Sequence, residues 1–287
     1  MRKLTLLRVH VFLALCCAAG IAPGAGKLTG APASQQQSGV DRTLPSAKEI
    51  VARYDEALGG REAILRHKSS TTRGTLEIHR ENRVVTVPFV FYARAPYLRL
   101  EKFTLPGNGG ESLHGFDGEN AWSLDQHGNA QVVTGDERES VKRDADFYYP
   151  INELAWFKSM ETVGTEDFEG RPCYRLHGIN NWNKSNDHFY DRQTGLLAGY
   201  EFNSEWRGGP GLTRNVFSDY QKVDGVLVSM KQVVQVKPKS GGEWTVETVV
   251  TLTSVTFDDV DPGVLTPPQA VRDLLAKGNP TPKTEPD

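Results

Sequence analysis

Residues 196–207, LLAGYEFNSEWR, carry the clearest structural signal in the chain. Apolar side chains occupy one set of alternate positions: Leu196, Ala198, Tyr200, Phe202 and Trp206. Polar side chains occupy the other set: Glu201, Asn203, Glu205 and Arg207. Strict alternation of this kind is typical of an antiparallel strand with one face covered and the other in water. The stretch therefore predicts a long, half-buried β-strand.

The same period of two recurs on both sides of this stretch, as in Val85, Val87, Phe89 and Phe91. The pairs Asp117-Gly118, Glu169-Gly170 and Asp224-Gly225 stand between such runs and favour tight hairpin turns. Because a sheet of this size tends to curl, we predict a mainly β fold, built on a single large curved antiparallel sheet. It would be a half-open, unclosed β-barrel of about eleven strands between Thr72 and Phe257, with covering α-helices. Pro88 places its strand at an edge or a bulge.

Helical patterns flank and interrupt the strands. Ser46 and Glu49 form a capping-box pattern before an apolar stripe that Gly59-Gly60 terminates. A short second helix is predicted from Arg61 to about His67. From Gly135 to Met160 the alternation stops and helical spacing replaces it, which predicts one or two helices over the sheet. A last helix is predicted from Pro268 to Ala276.

The ends of the chain have a different composition from the middle. Residues 1–25 combine basic residues with a short apolar run, which predicts a cleaved signal peptide and a periplasmic or secreted protein. Residues 26–44 are predicted to be a flexible leader, residues 45–276 the folded domain, and residues 277–287 a disordered tail. The 287 residues carry a net charge of -3, which argues against a nucleic-acid partner. Three cysteines exclude a disulfide-rich scaffold.

The sequence offers little for catalysis. It has no Gly-x-Ser-x-Gly elbow, no phosphate-binding loop and no His-Glu-x-x-His motif. His177 and His188, with Asp187 nearby, could face each other on neighbouring strands, which leaves a hydrolase or metal site open as an alternative. Cys173 is predicted to be a small buried residue. We therefore predict a protein without catalytic residues, bound metal or cofactor.

Large apolar side chains are abundant and have no catalytic use. A curled sheet can enclose more volume than its helices fill, and such a cavity would bind an apolar ligand. The residues predicted to line it are Phe89, Phe91, Phe116, Trp122, Tyr200, Phe202 and Trp206. The residues predicted to form a lid over it are Leu154, Trp156 and Phe157. The alternative is that these side chains form an ordinary packed core.

Several segments together resemble periplasmic lipoprotein-sorting carriers of the LolA and LolB type. They are IVARYDEALGG (residues 50–60), GTLE (74–77), GFDGENAW (115–122), EGRPCYRL (169–176), YDRQTGL (190–196), DY (219–220) and VDGV (223–226). The resemblance spans about residues 45–265. It implies an unclosed antiparallel barrel of about eleven strands with helices as a lid, and an apolar interior that accepts the acyl chains of lipoproteins.

The sequence thus favours an exported, non-catalytic carrier or binding protein in the cell envelope. Its expected partner is a lipid or a lipoprotein acyl chain, with an envelope protein as a further partner. Two alternatives remain open: a structural or interaction module of a periplasmic assembly, and a periplasmic hydrolase built around His177 and His188.

Overall fold

The computed structural model describes residues 44–80, 83–107, 109–206 and 209–278, apart from the side chain of Trp206. The predicted signal peptide, nearly all of the leader and most of the tail lie outside these residues. Within them, a single antiparallel sheet of thirteen strands dominates the fold. The prediction of one large, unclosed antiparallel sheet is confirmed, with two strands more than the sequence pattern indicated.

The strand order places the two ends of the domain in the middle of the sheet. The strands are Ser69–Arg80 (β1), Arg83–Arg94 (β2), Leu98–Thr104 (β3), Glu111–Asp117 (β4), Ala121–Leu124 (β5), Ala130–Val133 (β6), Phe157–Phe168 (β7), Arg171–Asn180 (β8), Ser185–Asp191 (β9), Leu197–Trp206 (β10), Gly209–Val223 (β11), Val226–Pro238 (β12) and Thr245–Phe257 (β13). Each strand pairs with its neighbour in sequence except that β1 pairs with β13, which leaves β6 and β7 as the two edges.

One connection joins these two edges, and we call it the strap (residues 134–156). It contains the helices Gly135–Asp144 (α3) and Tyr149–Asn152 (α4), then a single 3-10 turn at Glu153–Trp156. The sequence predicted helical structure as far as Met160, but β7 begins at Phe157. The reason is that Phe157 already pairs with Asn180 of β8, so its backbone bonds belong to the sheet.

The remaining helices lie at the two ends of the domain. Ala47–Ala57 (α1) and Arg61–Arg66 (α2) precede the sheet, and a 3-10 turn at Pro262–Leu265 and the helix Gln269–Ala276 (α5) follow it. The capping box predicted for α1 is present, because Ser46 Oγ accepts from the Glu49 backbone and Glu49 accepts from the Ser46 backbone. The predicted ends of α1, α2 and α5 are confirmed to within a residue or two.

Cross-strand register defines the two faces of the sheet. Residues directly opposite each other point to the same side, and the pairs Tyr200–Asn215, Asn215–Val234, Val234–Thr248 and Thr248–Ile78 connect β10 to β1 in this way. We call the side that carries Tyr200 the inner face and the other the outer face. Helix α1 and the strap pack on the inner face, and α5 packs on the outer face near β5 and β6.

The hairpin turns follow the sequence in two of three cases. Glu169-Gly170 and Asp224-Gly225 have positive φ at both positions, as the tight turn requires. The expectation for Asp117-Gly118 is wrong, because a three-residue loop follows Asp117, whose carboxylate accepts from the backbone of Glu119 and Asn120. Pro88 lies in an interior strand, but β3 pairs with β2 only from Phe89 onward, so Pro88 is locally at an edge.

Candidate functional site

The aromatic residues predicted to line one cavity belong to separate packed clusters. Phe89 and Phe91 point to the inner face and stack on each other with ring centroids 4.3 Å apart. Phe103 closes against both rings, and Met230 completes the contact from β12. Because these rings touch one another, this end of the inner face is a filled core rather than open volume.

Trp122 does not share the face on which Phe89 and Phe91 lie. It stands opposite Gly115, which stands opposite Leu100, and this row belongs to the outer face. Helix α5 covers Trp122 there through Val271. The expectation that Trp122 lines an inner cavity is therefore wrong, and its function in the fold is to anchor α5.

The other predicted lining residues contact the covering helices. Phe116 packs under α3 against Ala145, and Tyr200 and Phe202 pack in the cluster that contains α1. The backbone of Trp206 pairs with Gly209 in β10, and its side chain lies outside the described part of the protein. These side chains thus serve mainly to dock α1 and the strap on the inner face.

An apolar pocket lies between these docking points, under the strap and in the middle of the inner face. It has a volume of about 150 Å³. Tyr54 of α1, Leu58 directly after α1 and Ile64 of α2 form one wall. The sheet supplies the floor, through Phe91, Ala93, Val228 and Val255 among others. The strap residues from Asp144 to Phe147, with Pro150, form the roof. Of the predicted cavity residues whose side chains the structure describes, only Phe91 contacts this pocket.

Asp146 holds the roof of the pocket in place. Its carboxylate, almost fully buried, accepts hydrogen bonds from three groups further along the strap: the Tyr148 backbone at 3.0 Å, the Asn152 side-chain amide and Trp156 Nε1 at 2.9 Å. All three donors are neutral. One carboxylate therefore fixes the geometry of the strap from α4 to the start of β7.

The predicted lid residues sit at the end of this strap. Leu154 and Trp156 lie in the 3-10 turn and pack against the α1 cluster. Phe157 is the first residue of β7, where its ring meets the His188 ring edge-on. Leu154 and Trp156 are thus placed in a segment that covers the sheet, whereas Phe157 belongs to the sheet itself.

We expect Asp146→Ala to free the strap while the sheet stays folded. Removal of the carboxylate leaves three partly buried donors without this acceptor, and the loss of such a partner costs up to about 1–3 kcal/mol for a buried group. Lys142 and Arg143 then become accessible to trypsin, and cleavage of the strap should be at least about tenfold faster. Limited proteolysis followed by mass analysis measures the rate.

Asp125→Ala is the matched control for this variant. Asp125 also accepts several hydrogen bonds, from His127 and Asn129, but it closes an exposed hairpin loop away from the strap. Equal strap cleavage in both variants would contradict the function assigned to Asp146.

A buried polar cluster ties the strap and α1 to the sheet below. Glu153 and His188 are both 0% exposed, and Glu153 Oε1 lies 2.7 Å from His188 Nδ1. The other oxygen of Glu153 accepts from the Tyr190 hydroxyl at 2.7 Å. Burial, together with the negative charge of Glu153, raises the pKa of Asp55 on α1 to about 7. A charged group that is closed to water destabilises the fold unless an opposite charge or a hydrogen-bond partner lies beside it. Because the partners here come from the strap and from β9, the cluster fixes the position of the strap on β9.

His177 lies on the other face from His188. It pairs with Asp187 at 2.7 Å on the outer face, where Arg175 bridges Asp187 and Glu166. The two histidines therefore do not converge, and the sequence expectation that they could face each other is wrong. Within the described residues, no cluster of three or more His, Cys, Asp or Glu side chains is arranged to bind a metal.

Cys173 is fully buried, as the sequence predicts, in an outer-face cluster with Phe168, Phe189 and Ala198. Burial raises the pKa of the Cys173 thiol to about 11, so the thiol stays protonated at neutral pH. A protonated, inaccessible thiol is a poor nucleophile, and the residue is structural.

The sequence did not reveal the buried charged side chains that hold the strap over the pocket. Asp146, Glu153 and the Arg143–Asp144 pair lie in the strap, whose charged residues resemble those of an ordinary exposed helix. The only signal was that a charged segment sits next to an apolar helical stripe, which does not reveal what the carboxylates contact.

Solved structures of other proteins are similar in fold to this chain. A LolA superfamily protein from Nitrosomonas europaea aligns over 78% of this chain and 99% of its own, with a TM-score of 0.56 and 11% identity. The chain has a LolA-like fold. An outer membrane lipoprotein-sorting protein domain from Vibrio parahaemolyticus gives a TM-score of 0.52 over 77% of this chain and 94% of its own, at 12% identity.

A further protein with this fold is a DUF1329 family protein from Desulfovibrio piger. It aligns over 76% of this chain and 96% of its own, with a TM-score of 0.54 and 15% identity. No protein-family model and no curated sequence matches the chain. At these identities the LolA-like proteins establish the fold alone. Among the described residues, no helix combines the length and apolar composition that crossing a bilayer requires.

Proposed function

We propose that this protein is an exported, non-catalytic binding protein that holds an apolar chain or ring under its strap. One observation carries the proposal, namely the apolar pocket between the strap, α1 and the centre of the LolA-like sheet. Its lining is mostly aliphatic and aromatic, and burial of apolar surface stabilises a complex by about 25 cal/mol per Å². The apolar run in residues 1–25 supports export to the periplasm or beyond.

The size of the pocket limits what fits without movement. A closed apolar cavity of about 150 Å³ can hold a benzene-sized molecule. A lipid acyl chain is longer, so its remainder must leave through an opening, or the strap must lift. The strap is suited to this, because it joins the two free edges of the sheet and Asp146 holds its C-terminal half. The acyl chain of a lipid or a lipoprotein is the ligand that we propose.

We expect a bulky residue at Ala93 to block binding and leave the fold intact. Ala93 lies on the pocket floor, and Ala93→Phe fills the volume beneath the strap. The affinity for the neutral fluorescent probe N-phenyl-1-naphthylamine should fall at least about tenfold, which corresponds to about 1.4 kcal/mol. Fluorescence titration measures the affinity, and thermal unfolding checks the fold.

Ala52→Phe is the matched control, because Ala52 lies on the exposed side of α1. It adds the same ring outside the pocket and should leave probe affinity unchanged. Probe binding that survives Ala93→Phe would place the ligand elsewhere. Absence of probe binding in the parent protein would reject the carrier function.

The interaction-module alternative rests on the edge strand β7. This strand is twelve residues long, and Val163 within it is 48% exposed. A free edge of this kind can pair with an extended segment of another protein. Two register shifts interrupt its pairing with β8, and such bulges protect edges against added strands. We therefore favour the pocket as the functional site.

A further inference from the structure

The charged side chains around the pocket differ in whether an opposite charge contacts them. Arg99 borders it, but all three guanidinium nitrogens are already engaged. Its Nε and Nη2 each lie 2.7 Å from Glu101 Oε1, and its Nη1 donates to the Asp144 carbonyl at 2.7 Å. Arg99 is thus neutralised by Glu101, and three of its five N–H groups are already used by these contacts.

The other cation candidate beside the pocket is His67, and it is also engaged. Its Nδ1 lies 2.8 Å from an Asp258 carboxylate oxygen, and its Nε2 lies 3.2 Å from the Asp224 carbonyl. The ring stacks on Phe257 with centroids 4.1 Å apart. Both nitrogens therefore face oxygen atoms of the protein, and one face of the ring is covered by Phe257.

The two carboxylates in the roof differ from each other. Asp144 is paired with Arg143 at 2.9 Å, and Arg143 in turn lies over the Trp182 ring. Asp146 accepts only from the neutral donors of Tyr148, Asn152 and Trp156. Among the charged side chains that the structure describes in the pocket wall, Asp146 is therefore the one that forms no ion pair.

We propose that the pocket discriminates by charge: it accepts apolar chains whose polar end is uncharged or cationic and disfavours those that end in a carboxylate or phosphate. The proposal rests on the binding function proposed above. A pocket of about 150 Å³ is roughly 7 Å across, so a ligand anion at or inside it lies closer to Asp146 than the Debye length of about 8–10 Å, and the two negative charges repel each other. Asp146 is then a specificity-determining residue as well as the group that holds the strap.

The test compares three ligands with the same twelve-carbon chain: dodecanol, dodecylamine and dodecanoate. Each displaces N-phenyl-1-naphthylamine from the parent protein at about pH 7.5, where the amine is cationic and the acid anionic. We expect dodecanol and dodecylamine to displace the probe at concentrations at least about tenfold lower than dodecanoate. High salt should narrow this difference, because it screens the repulsion.

Asp146→Asn tests whether this carboxylate is the source of the discrimination. The variant also weakens the hold on the strap, so the informative quantity is the ratio of dodecanoate to dodecanol affinity within one protein. That ratio should move toward one in Asp146→Asn. It should stay unchanged in Glu166→Gln, which removes one negative charge from the exposed outer face.

The outcomes separate this proposal from the binding function on which it rests. Equal displacement by dodecanol and dodecanoate in the parent protein would overturn the discrimination and leave the binding function intact. Tenfold discrimination that persists in Asp146→Asn would overturn the assignment to Asp146. Absence of probe binding in the parent protein would overturn both.

Discussion

Replacing Glu153 with alanine should lower the free energy of unfolding by about 3–5 kcal/mol, the largest loss expected of a single substitution here. The substitution removes a carboxylate, one oxygen of which lies 2.7 Å from His188 Nδ1 and the other of which accepts from the Tyr190 hydroxyl at 2.7 Å, among side chains that are closed to water. It also leaves a small void under the strap. Urea denaturation followed by tryptophan fluorescence measures the change.

Glu166→Ala provides the matched comparison. Glu166 is also paired, with Arg175 at 3.1 Å, but its side chain is 49% exposed on the outer face. Exposed pairs contribute about 0–1 kcal/mol, since water competes for both charges. If Glu153→Ala and Glu166→Ala lower the free energy of unfolding by the same amount, the buried cluster does not stabilise the packing of the strap on the sheet.

Asp55→Asn should stabilise the protein at alkaline pH and have little effect in acid. Burial and the nearby negative charge of Glu153 raise the pKa of Asp55 from an ordinary value of about 3.9 to about 7. The folded state thus holds its proton to higher pH than the unfolded chain. The stability that this proton contributes is complete below about pH 4 and is lost as the pH rises through about 7.

The asparagine removes this ionisation, so the variant should be more stable than the parent by about 2 kcal/mol at pH 8, a figure reduced for the partial exposure of the side chain. Urea denaturation at pH 4.5 and at pH 8 measures the difference in stability between the variant and the parent protein in acid and in alkali. Glu56→Gln, at the exposed neighbouring position on α1, should show no such pH dependence. An Asp55→Asn effect that is equal at both pH values would contradict the buried ionisation.

The predictions for Glu153→Ala and Asp55→Asn concern the same buried cluster, because the two carboxyl groups interact across the interface between α1 and the strap. Glu153→Ala should therefore also lower the pKa of Asp55 and weaken the pH dependence of stability. We therefore expect the stability contributed by this cluster to depend on pH near neutrality. The double variant Asp55→Asn with Glu153→Ala measures the coupling as a departure from additivity.

Local patterns in the sequence determined most of the fold. Alternation over eight or more residues requires an extended strand with one covered face, so the long strands and their antiparallel pairing follow from residues such as Tyr200 and Phe202. The capping box at Ser46 and the turns at Gly170 and Gly225 are likewise set by near neighbours. These signals are local, since each depends on the backbone conformation of a few consecutive residues.

Only the tertiary structure decided which side chains meet. Trp122 lies in a four-residue strand, too short for alternation to reveal its face, and the three-residue loop after Asp117 places it on the outer side. The strap carboxylates of Asp146 and Glu153 look exposed in sequence, yet they are buried because the strap crosses the inner face between two edges distant in the chain. The pocket depends on these non-local contacts, whose partners no local pattern specifies, so the sequence predicted an apolar site but not the residues that form it.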